Sequence, residues 1–312
     1  MRQDNFSLAH VGDQLEAWSR SPLHPTLLPV GALSLIHAAR VSHATRQVAG
    51  SHESRLGLWQ GLLLNQILMF GGVVISGMLL GIASPLLVAW PVILLYGGVH
   101  VLLDVTPFGK LLLDAQDVEV VGILMDLSFA LLDGVLRAEG IVDLGVELVR
   151  KHPSPELASS VSAALINSAI IGGGVPLLID LFRLDSSSGE WGIRSPSWAK
   201  DPFSGTNDIF SALFLGYVYL TLTDPALAHS PIFGGVAQQL GVGAMSNRDV
   251  RTFCSLLLGG VLLAEKAVKL SNEARPVKLK PTLKPIAARD GSANANANES
   301  NRKTKQASRK KQ

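Results

Sequence analysis

The sequence holds one cysteine in 312 residues, Cys254, so no disulfide framework and no thiolate metal site can be built from it. Lying in an apolar run, that thiol reads as a packed side chain. The residues after Met1 lack a basic-then-apolar leader pattern, so insertion into a membrane is expected to rely on the chain's own spans. There is no phosphate loop, nucleophile elbow, zinc spacing or nucleic-acid module. His37 and His100 stand alone in apolar runs, where a histidine is usually packed or hydrogen-bonded. Neither an enzyme, a metal protein nor a nucleic-acid partner is expected. The largest absence is of charge: between Arg55 and Asp104 there is no Lys, Arg, Asp or Glu.

That gap organises the chain. About 20 apolar residues cross a bilayer as a helix, and the gap has room for two such crossings. Gly81-Ile82-Ala83-Ser84-Pro85 supplies the break, because proline lacks an amide hydrogen and pushes the preceding residue out of the helical region. The whole composition agrees, at 47% hydrophobic and 17% charged with a mean hydropathy of +0.31. The net charge of +2 conceals a basic end and a neutral to acidic middle.

Read in order, residues 1–20 carry Leu8, Val11, Leu15 and Trp18 at helical spacing, which predicts an amphipathic segment on the membrane surface. Residues 21–271 are expected to hold seven spans. The first is Ser21 to Ala39, with Pro25 and Pro29 near a helix start and a basic loop from Arg40 to Arg55 after it. Spans two and three fill the charge-free gap. Span four, Val118 to Leu136, places Glu119, Asp126, Asp133 and Arg137 on one stripe, with Asp133 and Arg137 spaced to pair. A carboxylate facing lipid is costly, so the stripe should face protein or water. It is either an acidic lining for a cation path, with Asp126, Asp133 and Arg137 as path or gating residues, or a structural ion pair. Span five, Leu157 to Ile179, carries Gly172-Gly173-Gly174; span six is Ile209 to Thr223 and span seven Thr252 to about Leu270. Pro225 to Asn247, broken by Gly and Pro, suits a re-entrant segment. Residues 272–312 are expected to form a disordered basic tail, cytosolic by the positive-inside rule, with the N-terminus on the lumenal side. Its charges suit anionic lipid, the one cofactor-like partner expected.

Asn65-x5-Gly71-Gly72-Val73 in span two recurs as Asn167-x5-Gly173-Gly174-Val175 in span five. If spans one to three and four to six are equivalent units, their odd number inverts the second, giving an all-α membrane protein of two inverted three-helix repeats plus a seventh helix. Asn65, Gly71, Gly72, Asn167, Gly172, Gly173 and Gly174 are then the pore or kink candidates. Glycines remove side-chain bulk and let a helix bend and free its carbonyls, but they also let helices pack closely. A channel, an alternating-access carrier and a tethering protein acting through its tail all remain open on these residues.

Gly12-x6-Ser19-Arg20-x-Pro22-Leu23-x-Pro25, the seven spans, the glycine clusters in spans two and five, Asp104 closing span three and the basic tail together resemble the trimeric intracellular cation channels, over about Gly12 to Leu270. The resemblance implies a homotrimer of the endoplasmic reticulum or nuclear membrane. In it each subunit has a potassium-permeable pore and supplies counter-ion current during calcium release. The chain departs from the family in span four. Where animal members carry Lys-Glu-Val, it has Leu132-Asp133-Gly134, and Arg137 is the nearest cation. The final Arg309-Lys310-Lys311-Gln312 resembles a dibasic retrieval signal.

Overall fold

The computed structural model describes residues 8–26, 28–49, 56–186, 188–228 and 245–273, and these are mostly helical. The predicted tail and most of the predicted re-entrant segment lie outside the described residues.

The first helix, α1 (Leu8–Arg20), leaves Trp18 exposed and docks on the last, α13 (Asn247–Glu273). Gly12 sits against Thr252, and Arg248 pairs with Asp13 and with Glu16. A short antiparallel hairpin follows, β1 (Pro22–His24) against β2 (Leu28–Gly31). This corrects the first predicted span. The prolines at 22, 25 and 29 hold their preceding residues in extended geometry, so no helix begins among them. Gly31, extended at φ −69° and ψ 159°, caps α2 (Ala32–Val48) instead. Arg40, read as the end of a span, therefore lies in the middle of a helix, and residues 41–48 are helical rather than loop.

The charge-free gap becomes α3 (Leu58–Leu80) and α4 (Trp90–Val105). Gly81 ends α3 at φ +64°, a left-handed cap that only glycine adopts without strain. From Thr106 the chain turns by 83° into α5 (Pro107–Gln116). Arg46 of α2 fixes that corner: its Nη2 donates to the Leu103 carbonyl at 2.5 Å and lies 3.5 Å from Asp104.

The helix over the predicted fourth span is longer than its apolar stretch. Helix α6 (Glu119–Gly140) continues through a π-helical segment, Ile141–Glu147, into α7 (Leu148–Arg150). The charges that marked its end in the sequence are all engaged. Ser19 donates to Glu139, Arg251 pairs with Asp143, and Arg150 reaches Glu147 at 3.2 Å. After the turn α8 (Pro155–Ala158), α9 (Val161–Leu181) covers the predicted fifth span. The short α10 (Ser197–Lys200), α11 (Asn207–Thr223) and the turn α12 (Pro225–Ala228) precede α13.

Each of the seven predicted spans overlaps a helix. By length and apolarity α3 and α9 can cross a membrane alone, and α4 with α5 adds a third, bent candidate. Helices α2 and α11 have 17 residues each, short for a crossing.

Apolar side chains gather in two main cores. Val30, Ala38, Val41, Phe70, Leu95 and Tyr96 join α2, α3 and α4. A larger one around Ile141, Val146, Ala212, Leu215, Tyr219 and Cys254 joins the end of α6 with α9, α11 and α13. Between the two groups of helices lies a cavity.

Candidate functional site: a charged cavity between two helix groups

The cavity encloses about 290 Å³ and is walled by five helices. His37 and Arg40 come from α2, Gly72 from α3, Asp133 and Arg137 from α6, Gly172 and Pro176 from α9, and Asp208 from α11. Helical periodicity creates the charged wall: His37 and Arg40 are three apart and Asp133 and Arg137 four apart, so each pair shares one face of its helix. Asp208 stands in the first turn of α11, where a carboxylate also complements the helix dipole.

Asp133, 9% exposed, is the hub. Arg137 Nη2 donates to its Oδ2 at 2.7 Å, and Arg40 Nη2 lies 3.5 Å from the same oxygen. Nε2 of His37 lies 3.8 Å from the other oxygen, Oδ1. Arg137 turns its Nη1 to Asp208 at 2.8 Å, so one guanidinium ties α6 to α11. His37 is held from behind by Tyr96 of α4, whose hydroxyl is 2.7 Å from Nδ1 and whose ring meets Phe70 edge-on. Buried charge is tolerated only when paired and hydrogen-bonded, and here the pairing is nearly complete. The exception is Arg40, whose buried Nε has no hydrogen-bond partner. Chemically the site offers fixed charges of both signs in a low-dielectric space, with no nucleophile or metal-ligand cluster beside it; no grouping of three metal-ligating side chains occurs among the described residues.

The other residues singled out in the sequence are dispersed. Gly72 and Gly172 line the cavity, and both also serve close packing. A Cβ on Gly72 would stand 2.8 Å from the Ile170 carbonyl oxygen, and one on Gly172 would stand 2.6 Å from the Ala212 Cβ. Gly71 faces away, onto Leu178 and an apolar groove of about 700 Å³ lined by Phe70, Phe182 and Trp191. Gly173 lets the backbone of Ile209 approach, whereas Gly174 meets only the Ile170 side chain. Both α3 and α9 remain helical through their glycines.

The two repeated asparagines are buried and play matching parts, each donating from its Nδ2 to the preceding long helix. Asn65 reaches Thr45 Oγ1 at 3.3 Å. Asn167 reaches the carbonyls of Leu144 and Gly145 at 2.7 and 2.9 Å, inside the π-helical segment. Asp126 stays outside the cavity: Lys266 of α13 is 2.9 Å from one oxygen and Gln116 donates to the other at 3.1 Å.

Sequence reasoning missed Arg40, His37, Tyr96 and Asp208 as members of the site. A usable signal existed for Arg40. Starting the first helix after Pro29 places that arginine inside an apolar frame, where an ionisable residue marks a site by default. The grouping of Tyr96 and Asp208 with it depends on contacts between distant segments, which carry no local signature.

No family model and no curated protein matches the sequence. Among solved structures, the chain is similar to one from work on the structural basis for activity of TRIC counter-ion channels in calcium release. The TM-score is 0.53 and the identity 16%, over 84% of this chain and 99% of that one. The likeness spans the neighbour's whole length and establishes a TRIC-like fold.

Proposed function

We propose that the protein is a monovalent cation channel, with potassium as its ion, and that its path runs through the cavity between α3 and α9. The observation that carries this reading is the cavity itself. A set of paired charges lines a half-open cavity flanked by two helices apolar enough to face lipid. Intramembrane charge is kept at such cost where ions or protons move. The TRIC-like fold supports the same conclusion, since the neighbour is described as a counter-ion channel in calcium release.

In this reading the chain works as a homotrimer in the endoplasmic reticulum or nuclear membrane, giving counter-ion flux when calcium is released. The N-terminus is lumenal, and the basic tail is cytosolic and engages anionic lipid. Gly72 and Gly172 keep the path open by leaving it free of side chains, and the paired Asp133 and Arg137 form part of its wall.

Recording from the purified protein in planar bilayers tests the proposal. Ohmic potassium current that falls in Gly72→Leu supports it. Saturable, slow exchange would identify a carrier instead. Absence of any flux, with function lost only on deletion of residues 289–312, would identify a tether.

A further inference from the structure

Resting on the channel reading, we propose that His37 determines the cation preference of the cavity by carrying a proton-dependent charge beside Asp133. The ionisable groups facing it can be stated for each helix around it. Helix α2 supplies Arg40, α4 supplies Tyr96, α6 supplies Asp133 and Arg137, and α11 supplies Asp208 behind Arg137. The cavity-lining residues of α3 and α9 are uncharged. Two arginines and two aspartates cancel, so the net charge of the cavity is that of the imidazole. Arginine and aspartate ordinarily hold their charges across the neutral range, whereas histidine is the side chain that exchanges its charge there.

The geometry suits both protonation states. With a neutral ring, the Tyr96 hydroxyl donates to Nδ1, and Nε2–H points toward Asp133 Oδ1, 3.8 Å away. That oxygen is the one that neither arginine contacts, since both approach Oδ2. With a protonated ring, Nδ1–H donates to the Tyr96 oxygen, and Nε2–H can close on Oδ1 by a small movement. Tyr96 is 3% exposed and can act as donor or acceptor, so it need not move. No spare anion awaits the added charge: Asp208 is held by Arg137, and Arg40 already has an unpartnered Nε. The extra positive charge therefore repels a passing cation in a poorly screened space.

The test uses the full-length protein in liposomes, with potassium flux and the reversal potential in a potassium chloride gradient measured from about pH 8 to about pH 5. In parallel, the histidine side chains are followed by nitrogen NMR over the same range. Wild-type potassium flux should drop several-fold on acidification, and the reversal potential should move toward chloride. His37→Gln, which keeps a hydrogen-bonding group for Tyr96, should carry a flux that no longer varies between the two pH limits, whatever its level. Tyr96→Phe should displace the midpoint of the transition. A His37→Gln protein with the wild-type pH response overturns the proposal, as does an NMR signal showing His37 in one protonation state over the whole range. If no variant carries potassium at any pH, the channel reading fails, and the NMR titration alone then decides whether His37 holds the switchable charge.

Discussion

Asp133 and Arg137 stand one turn apart on α6, joined at 2.7 Å, yet the same arginine is also bonded at 2.8 Å to Asp208 of α11. The pair is thus a bridge between helices as much as an intrahelical contact. Removing the hub leaves Arg137 and Arg40 without their shared acceptor. Breaking a buried pair by deleting one partner costs about 3–5 kcal/mol, whereas replacing both by apolar groups of similar size can be neutral. Asp133→Leu should therefore lower the thermal midpoint of the detergent-solubilised protein more than Asp133→Leu combined with Arg137→Met. A double variant that loses more than Asp133→Leu alone, by the full cost of Arg137→Met, would mean that the charges act independently.

The glycines of α3, α4 and α9 should separate by what they touch. A methyl group at Gly173 runs into the Ile209 backbone, so Gly173→Ala should reduce the yield of folded protein. At Gly72 the nearest atom is the Ile170 carbonyl oxygen at 2.8 Å, so a side chain must push α3 from α9 or enter the cavity. Gly72→Leu should therefore lower potassium current with the folded yield retained in part. Gly98 has nothing within 4 Å, and Gly98→Ala should match wild type in both yield and current. Size-exclusion profiles and bilayer currents of the three variants check the ordering, and a wild-type profile for Gly173→Ala would refute it.

How far this could be read from sequence depends on the range of the interactions. The hairpin α3 and α4, the fifth span, and the spacing that lets Asp133 and Arg137 pair follow from composition and periodicity, which are local. The start of α2 did not, because Pro25 and Pro29 near a helix start look permissive until β1 and β2 are seen to pair. The end of α6 did not either. The helical path runs on past Glu139, Asp143 and Glu147, whose partners Ser19, Arg251 and Tyr219 are each far away in sequence. The cavity is of the same kind: one of its charged pairs is intrahelical and legible, while Arg40, Tyr96 and Asp208 join it through tertiary packing.

Asp126 provides a contrast with Asp133, although both lie on one stripe of α6. Its partners are Lys266 and Gln116, and it does not line the cavity. Asp126→Asn should accordingly leave the reversal potential in a salt gradient unchanged. The pair is partly exposed, with 20% of the Asp126 and 30% of the Lys266 side chain accessible, so the stability effect should be within about 1 kcal/mol. A shift of the reversal potential toward chloride would place Asp126 on the ion path and move the path toward α13.

Asn167 tests whether the π-helical segment depends on the repeated motif. In the π-helical segment, where the Leu148 amide donates to the Asp143 carbonyl five residues back, Asn167 Nδ2 donates to the carbonyls of Leu144 and Gly145 from a position only 2% exposed. Close packing supports the same contact, because a Cβ on Gly145 would stand 2.8 Å from the Ser168 hydroxyl oxygen. Asn167→Leu keeps a similar volume but removes two buried hydrogen bonds, at about 0.5–1.5 kcal/mol each. Hydrogen exchange should then quicken over residues 141–150, ahead of α3, whose hydrogen bonds the change does not touch. The segment also shapes the cavity, since Leu144 is part of its wall, so potassium current should fall together with the loss of protection. Unchanged exchange across residues 141–150 would show that packing alone holds the turn and that the asparagine is incidental to it.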